Sequence, residues 1–151
     1  MKTHFLTSAL LSLVALTACS QAEAPKNKIA ETSVAASEVM NAKTKAVLIY
    51  AKWCGSCKIL DPKIKDVQSQ VSIPSLEFVT LDYTDKDPYA FYAQAEAAGV
   101  GEAVRNYFDG TIKTGQLLLI DVDDKTVLSK VTKTSNPAEI LASIKEAVAS
   151  S

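Results

Sequence analysis

A short apolar segment followed at once by two closely spaced cysteines constrains the fold of this chain more than any other feature. Residues 46–51, AVLIYA, include β-branched and aromatic side chains and predict a buried strand. Cys54 and Cys57 come next, and a helical pattern of apolar residues follows them. The positions of that pattern are Leu60, Ile64, Val67 and Val71. We therefore expect Cys54 at the point where a strand passes into the N-terminus of a helix.

The rest of the chain alternates between strand and helix patterns. We predict strands at 76–81, 116–122 and 126–131, and helices at 33–45, at 88–98 and from Pro137 onward. Asp87 before Pro88 is typical of a helix start. The last two strands form a hairpin around residues 123–125. This order predicts an α/β fold, with a central mixed sheet of about four strands and helices on both faces.

The N-terminus has the pattern of an export signal. Lys2 precedes an apolar run at residues 5–18, which is shorter than the roughly 20 residues that cross a bilayer. The run ends in Leu-Thr-Ala-Cys19, which resembles the bacterial lipobox, where cleavage precedes a lipid-modified cysteine. The alternative is a secreted protein cut after residues 22–24, but Pro25 would then follow the cut. We predict a signal peptide at 1–18, a lipidated tether at 19–32 and a domain at 33–151.

Removal of the signal peptide would also exclude some classes of function for the mature chain. Without Lys2, the 16 basic residues become 15 against 17 acidic ones, and no basic stripe stands out, so we expect no nucleic-acid partner. His4 is the only histidine and is lost with the signal. The mature chain therefore cannot form a Ser-His or Cys-His catalytic pair.

The three cysteines favour thiol–disulfide chemistry over a metal site or a structural staple. With Cys19 assigned to lipid, Cys54 and Cys57 remain in an oxidising compartment. A structural disulfide across so short a loop would add little to the stability of the fold, because this stabilisation grows with loop length. A structural zinc site takes about four ligands, usually Cys or His, and two sulfurs do not supply them. Because Cys54 would lie at a helix N-terminus near Lys52 and Lys58, we expect its thiol to have a lowered pKa.

The segment VLIYAKWCGSCKILDP resembles the active-site segment of the thioredoxin family. It matches the strand, the tryptophan before the first cysteine and the two-residue spacer between the cysteines. It also matches the lysine after the second cysteine and a proline five residues beyond that cysteine. The resemblance implies a thioredoxin-like fold and a protein-disulfide oxidoreductase with Cys54 as nucleophile and Cys57 as resolving thiol. The residues that would support them are Trp53, Gly55, Ser56, Lys58, Pro62, Thr114 and Gly115.

The sequence also departs from the family in three places. Leu48 stands where the family carries a buried aspartate, and Thr80 where its lysine partner usually lies. The family's cis-proline before the third strand is replaced by Thr114-Gly115, a peptide bond that we expect to be trans. These changes keep the dithiol and leave open two alternatives, a Cu(I)-binding module and a non-catalytic protein-contact scaffold.

The remaining predictions concern partners, location and surface segments. We expect a monomer without cofactor or metal, lipid-anchored at the periplasmic face of the outer membrane (Ser20 follows Cys19 in place of a retention aspartate). Its partners would be exported proteins with disulfides or dithiols and a redox protein that recycles it. We expect a surface loop with a helical turn at 99–113, rather than a substrate-contacting insertion. We also expect core roles, rather than a peptide groove, for the aromatic residues Tyr89, Phe91, Tyr92, Tyr107 and Phe108. The aspartates at 82–87 lack a calcium-loop pattern and are expected in turns and caps.

Overall fold

The computed structural model describes residues 42–151. In chain order its elements are β1 (Thr44–Tyr50), α1 (Gly55–Gln70), β2 (Leu76–Asp82), α2 (Pro88–Ala97), α3 (Gly101–Phe108), β3 (Gln116–Asp121), β4 (Thr126–Thr132) and α4 (Pro137–Ser150). The signal peptide, Cys19, the tether and most of the helix at 33–45 lie outside the described residues. The last two residues of that helix, Thr44 and Lys45, belong to β1, so its C-terminal end was wrong. No helix among residues 42–151 is both long and apolar enough to cross a membrane.

The four strands form one mixed sheet in the order β2-β1-β3-β4. β1 pairs with β2 in parallel and with β3 in antiparallel orientation. β3 and β4 form the antiparallel hairpin that the sequence predicts. The two central strands read as continuous apolar runs because helices cover both of their faces, and every residue of β3 is buried. The α/β fold with a four-stranded mixed sheet is confirmed.

Alternate side chains of the central strands fill two cores. On one face, Leu48 and Leu117 pack with Leu60 of α1 and Ile144 of α4. On the other face, strand residues pack against α2 and α3 through a cluster that includes Val47, Ile49, Leu118, Phe91 and Val104. Each such side chain contributes about 1.5–3 kcal/mol on burial. Helices therefore lie on both faces, as predicted, and α1 is held rigidly over the sheet.

The segment 99–113, predicted as a surface loop with a helical turn, contains a helix of eight residues, α3. α3 buries one side against the sheet, through Val104 and Phe108, while Arg105 on its outer side forms an ion pair with Glu96 of α2. Gly99 (φ +70°) ends α2, and Asp109 (φ +43°) ends α3. The two turns allow a second short helix to fit between α2 and β3.

The aromatic residues are only partly in the core. Phe91 and Phe108 are buried and pack edge to face with ring centroids 6.2 Å apart, while Tyr92 and Tyr107 are half-buried beside them. Tyr89 is 87 % exposed, so its predicted core role was wrong. Tyr89 lies in the first turn of α2, and the residues that this helix buries, Phe91 and Ala95, come later.

Candidate active site

The two cysteines lie at the junction between β1 and α1, where the sequence predicts them. Cys54 is the N-cap of α1, and Cys57 lies in its first turn. A disulfide joins them, with their Cα atoms 5.3 Å apart. Cys54 retains 7 % of its surface exposed and Cys57 none. Cys54 is therefore the more accessible of the two cysteines.

Backbone groups surround both sulfurs with polar contacts. The Cys57 N–H donates a hydrogen bond of 3.1 Å to Cys54 Sγ, one of the N–H groups that a helix leaves unpaired at its first turn. Cys57 Sγ lies 3.7 Å from the Ile49 carbonyl oxygen, which also accepts a 2.8 Å hydrogen bond from the Gly115 N–H. The donor at Cys54 favours negative charge on its sulfur, whereas the carbonyl at Cys57 favours a protonated thiol.

Gly115 forms the wall of the site opposite α1. Its φ of +81° is a conformation that glycine adopts without strain. A Cβ at this position would lie 3.2 Å from Cys54 Sγ and 2.6 Å from the Cβ of Ser56. Thr114, just before it, is half-buried, and no cis peptide bond occurs among residues 42–151, so the Thr114–Gly115 bond is trans as expected. The positive φ of this position and the close contacts around it therefore both require glycine.

Trp53 is fixed to the neighbouring loop while half of its surface stays exposed. Its indole Nε1–H donates to the Thr84 carbonyl at 2.8 Å, and the Lys52 N–H donates to Thr84 Oγ1 at 3.0 Å. Lys86 Nζ lies 5.1 Å from the centre of the Trp53 ring, a cation–π contact. The ring thus presents a flat apolar surface beside Cys54.

Thr84 and Lys86 were not predicted as site residues, although the sequence contains a signal for them. The end of β2 lies beside the end of β1 because the strands are parallel, so the loops that follow them must touch. Asp82-Tyr-Thr84 also carries a local turn, in which the Thr84 N–H donates to Asp82 Oδ1 at 2.7 Å. A polar turn directly after a strand parallel to β1 indicates a loop that supports the site.

The other predicted supporting residues lie on α1. Gly55 and Lys58 are exposed, and a Cβ at Gly55 would meet nothing within 4 Å. Ser56 faces Gly115 rather than solvent alone. Pro62 lies inside α1, which continues through it to Gln70. The structure brings Trp53, Gly55, Ser56, Lys58, Thr114 and Gly115 around the cysteines, and places Pro62 further along the helix.

Leu48 and Thr80, two of the departures from the family, lie in the part of the sheet beneath α1. They are paired across β1 and β2, and Leu48 is buried. A pocket of about 120 Å³ next to them is also lined by Asp61 and Lys65. The Asp61 carboxylate accepts a 2.7 Å hydrogen bond from Lys65 Nζ, which raises the pKa of that lysine. Among residues 42–151 no group of three His, Cys, Asp or Glu side chains is placed to hold a metal ion.

Comparison with known proteins agrees with this arrangement. The family model described as Thioredoxin matches residues 27–98, a range that contains both cysteines, α1 and the strand on either side of it. This chain carries a thioredoxin-like domain. The thioredoxin-like domain also resembles the "Protein disulfide-isomerase A3" of Gallus gallus, with 43 % identity over 53 residues. Those residues are 33 % of this chain, and the chain spans only about a tenth (10 %) of that relative.

Solved thioredoxin structures resemble the domain at low identity. The thioredoxin of Fasciola hepatica is 18 % identical, with a TM-score of 0.44 over 70 % of this chain and 82 % of that one. The thioredoxin of Malassezia sympodialis is 16 % identical, with a TM-score of 0.47 over 73 % and 81 %.

Proposed function

We propose that this protein is a thiol–disulfide oxidoreductase that exchanges disulfides with partner proteins through Cys54 and Cys57. The observation that carries the proposal is the disulfide at the N-terminus of α1, with the Cys57 N–H donating to Cys54 Sγ. The same donor stabilises a Cys54 thiolate after reduction, and the thiolate is the attacking species in exchange.

The proposed cycle uses each cysteine once. The Cys54 thiolate attacks one sulfur of a partner disulfide, which forms a mixed disulfide and releases the other partner sulfur as a thiolate that takes a proton. Cys57 then loses its proton and attacks Cys54 Sγ. This step closes the Cys54–Cys57 disulfide and releases the second partner thiolate. Two electrons pass to the partner, and the reverse sequence oxidises a partner dithiol.

The difference in burial between Cys54 and Cys57 supports the order in which they attack. Cys57 is fully buried and lies beside Cys54, so it reaches only the mixed disulfide formed at its neighbour. The half-exposed Trp53 ring and the Gly115 backbone both lie beside Cys54. The proposed first contact of a substrate disulfide is therefore with Cys54.

We also propose that the protein acts outside the cytoplasm, anchored by a lipid on Cys19 at the periplasmic face of the outer membrane. The support is the sequence alone: the short apolar run at 5–18, the lipobox-like residues 16–19 and Ser20. Its partners would be exported proteins with disulfides or dithiols, together with a redox protein that recycles the pair.

Reduction of insulin by dithiothreitol, followed by turbidity, tests the activity. Residues 33–151 of the wild-type protein should accelerate precipitation, and Cys54→Ser should abolish the acceleration. Cys57→Ser should accumulate mixed disulfides that dithiothreitol releases. No acceleration by the wild-type protein would refute the proposal, and tight Cu(I) binding by that inactive protein would favour the metal-binding alternative.

A further inference from the structure

Gln116 is a buried polar residue next to the wall of the active site. It is 6 % exposed and begins β3, whose next four residues, 117–120, are apolar and buried. Its side-chain Nε2–H donates to the Lys113 carbonyl oxygen at 2.7 Å, and its Oε1 accepts from the Tyr107 hydroxyl at 3.1 Å. Because a carbonyl oxygen can only accept, Lys113 determines which end of the Gln116 amide faces it. The side chain of Gln116 thus connects α3 to the segment before β3.

The segment before β3 depends on this side chain for its backbone hydrogen bonding. Within residues 42–151, no backbone–backbone hydrogen bond involves residues 112–114. The next such bond is that of Gly115, whose N–H donates to the Ile49 carbonyl oxygen at 2.8 Å. The bond from the Gln116 side chain to the Lys113 carbonyl therefore fixes the chain just ahead of Gly115.

The position of Gly115 matters because it lies beside the reacting sulfur. A Cβ at Gly115 would stand 3.2 Å from Cys54 Sγ. An unpaired buried amide is costly, so Gln116 keeps both of its partners in place. Tyr107 is itself fixed, because its ring packs edge to face on the buried Phe108 with centroids 5.1 Å apart. The place of Gly115 beside Cys54 is therefore set from α3 through Tyr107 and Gln116.

The second step of exchange makes a geometric demand on this wall. When Cys57 attacks, its sulfur, Cys54 Sγ and the departing partner sulfur have to lie close to a line, so that the reacting orbitals align. We propose that Gln116 is a positioning residue for this resolving step. Braced by Tyr107, Gln116 holds Gly115 in place, and Gly115 keeps the mixed disulfide on Cys54 in line with the attacking sulfur. The inference rests on the proposed exchange function and names residues that govern its second step.

The rate at which the mixed disulfide disappears tests the proposal. The reduced protein is mixed with a disulfide-bonded peptide and quenched in acid, and the mixed disulfide on Cys54 is quantified by mass spectrometry. Gln116→Met removes both hydrogen bonds from a side chain of similar length, and it should slow the resolving step about tenfold. Tyr107→Phe removes only the hydroxyl and should slow this step about threefold. Wild-type resolving rates in both variants would overturn the proposal.

Two controls separate positioning from a general loss of structure. Iodoacetamide reacts with Cys54 without the second cysteine, so in a Cys57→Ser background Gln116→Met should change the alkylation rate by less than about twofold. Tyr92→Phe removes the hydroxyl of another half-buried tyrosine of the same core and should keep the wild-type resolving rate. An alkylation rate that falls as far as the resolving rate would overturn the proposal, because the loss would then not belong to the second step.

Gln116→Glu makes the hydrogen bond to Lys113 depend on pH. An ionised carboxylate accepts from the Tyr107 hydroxyl but cannot donate to the Lys113 carbonyl, whereas a protonated carboxyl does both. Burial beside that carbonyl should raise the pKa of the introduced carboxyl above its ordinary value of about 4.3. The resolving rate relative to wild type should therefore be low near pH 8 and rise toward one as the pH falls to about 5. A relative rate that does not change with pH would contradict the role of this donor.

The same measurements distinguish this inference from the exchange function on which it rests. A wild-type protein that forms no mixed disulfide with the peptide would refute the exchange function itself. A wild-type protein that completes the cycle, together with Gln116 variants that resolve the mixed disulfide equally fast, would refute only the positioning role.

Discussion

The backbone of Gly115 lies against Cys54 so closely that a single added methyl group would stand 3.2 Å from the sulfur. The same methyl would lie 2.6 Å from the Cβ of Ser56. The segment before β3 and the first turn of α1 therefore meet without an intervening side chain. Their fit depends on glycine.

Substituting Gly115 by alanine should destabilise the domain more than an ordinary glycine substitution. Gly115→Ala adds both positive-φ strain and contact with Ser56, which together should lower the free energy of unfolding by about 2–4 kcal/mol. Gly110→Ala is the matched control, because its φ is +89° and its Cβ would meet nothing within 4 Å. It should cost only about 1 kcal/mol. Equal losses in urea unfolding would show that the contact is unimportant.

The thiol of reduced Cys54 should have a lowered pKa. Its sulfur accepts the Cys57 N–H at the N-terminus of α1, and the helix dipole acts in the same direction. We expect a pKa below the value of about 8.5 for a free thiol. The pH dependence of iodoacetamide alkylation of the Cys57→Ser variant measures it. A midpoint at or above the free-thiol value would remove the electrostatic basis of the proposed attack by Cys54.

The Thr84 hydroxyl should hold the loop that carries Trp53. Thr84→Val removes the acceptor of the Lys52 N–H and retains the shape of the side chain, whereas Thr84→Ser retains the hydroxyl. Because Trp53 is the only tryptophan, its fluorescence reports on this loop alone. We expect acrylamide to quench the valine variant more strongly than the wild type and the serine variant. Identical quenching in all three proteins would show that Trp53 is held by other contacts.

Membrane attachment should depend on Cys19. Cys19→Ala removes the only acceptor for the expected lipid, so the full-length protein should move from the membrane fraction to the soluble periplasmic fraction. Cys54→Ala, which leaves residues 16–19 intact, should remain with the membranes. A Cys19→Ala protein that still sediments with the membranes would contradict the lipoprotein prediction.

The sequence predicted the sheet and the reactive pair because their signals are local. The apolar run 46–51 and the cap at Asp87 are determined by neighbours in the chain, and the structure has them within a residue or two. The prediction allowed only a helical turn in the segment 99–113, where α3 has eight residues. The spacing of Val100, Val104 and Phe108 at i, i+4 and i+8 was the signal for a helix, and all three are buried.

The support around Trp53 could not be predicted from one segment alone. The Thr84 carbonyl and the Lys86 ammonium reach Trp53 only because β1 and β2 pair in parallel and in one register. That register follows from the packing of the whole sheet against its helices. Pair contacts of this kind depend on tertiary structure, whereas the position of a cysteine at a helix start depends on a few residues.

The Ile49 carbonyl oxygen connects the sheet to the sulfur chemistry. It accepts the Gly115 N–H at 2.8 Å, and Cys57 Sγ lies 3.7 Å away. On reduction, Cys57 gains a proton and becomes a second donor within reach of the same oxygen. The hydrogen bond between β1 and the residue before β3 then has a competitor that is absent from the oxidised protein. The redox state of the Cys54–Cys57 pair should therefore change the environment of a backbone amide, and the nitrogen and proton chemical shifts of Gly115 should report that state.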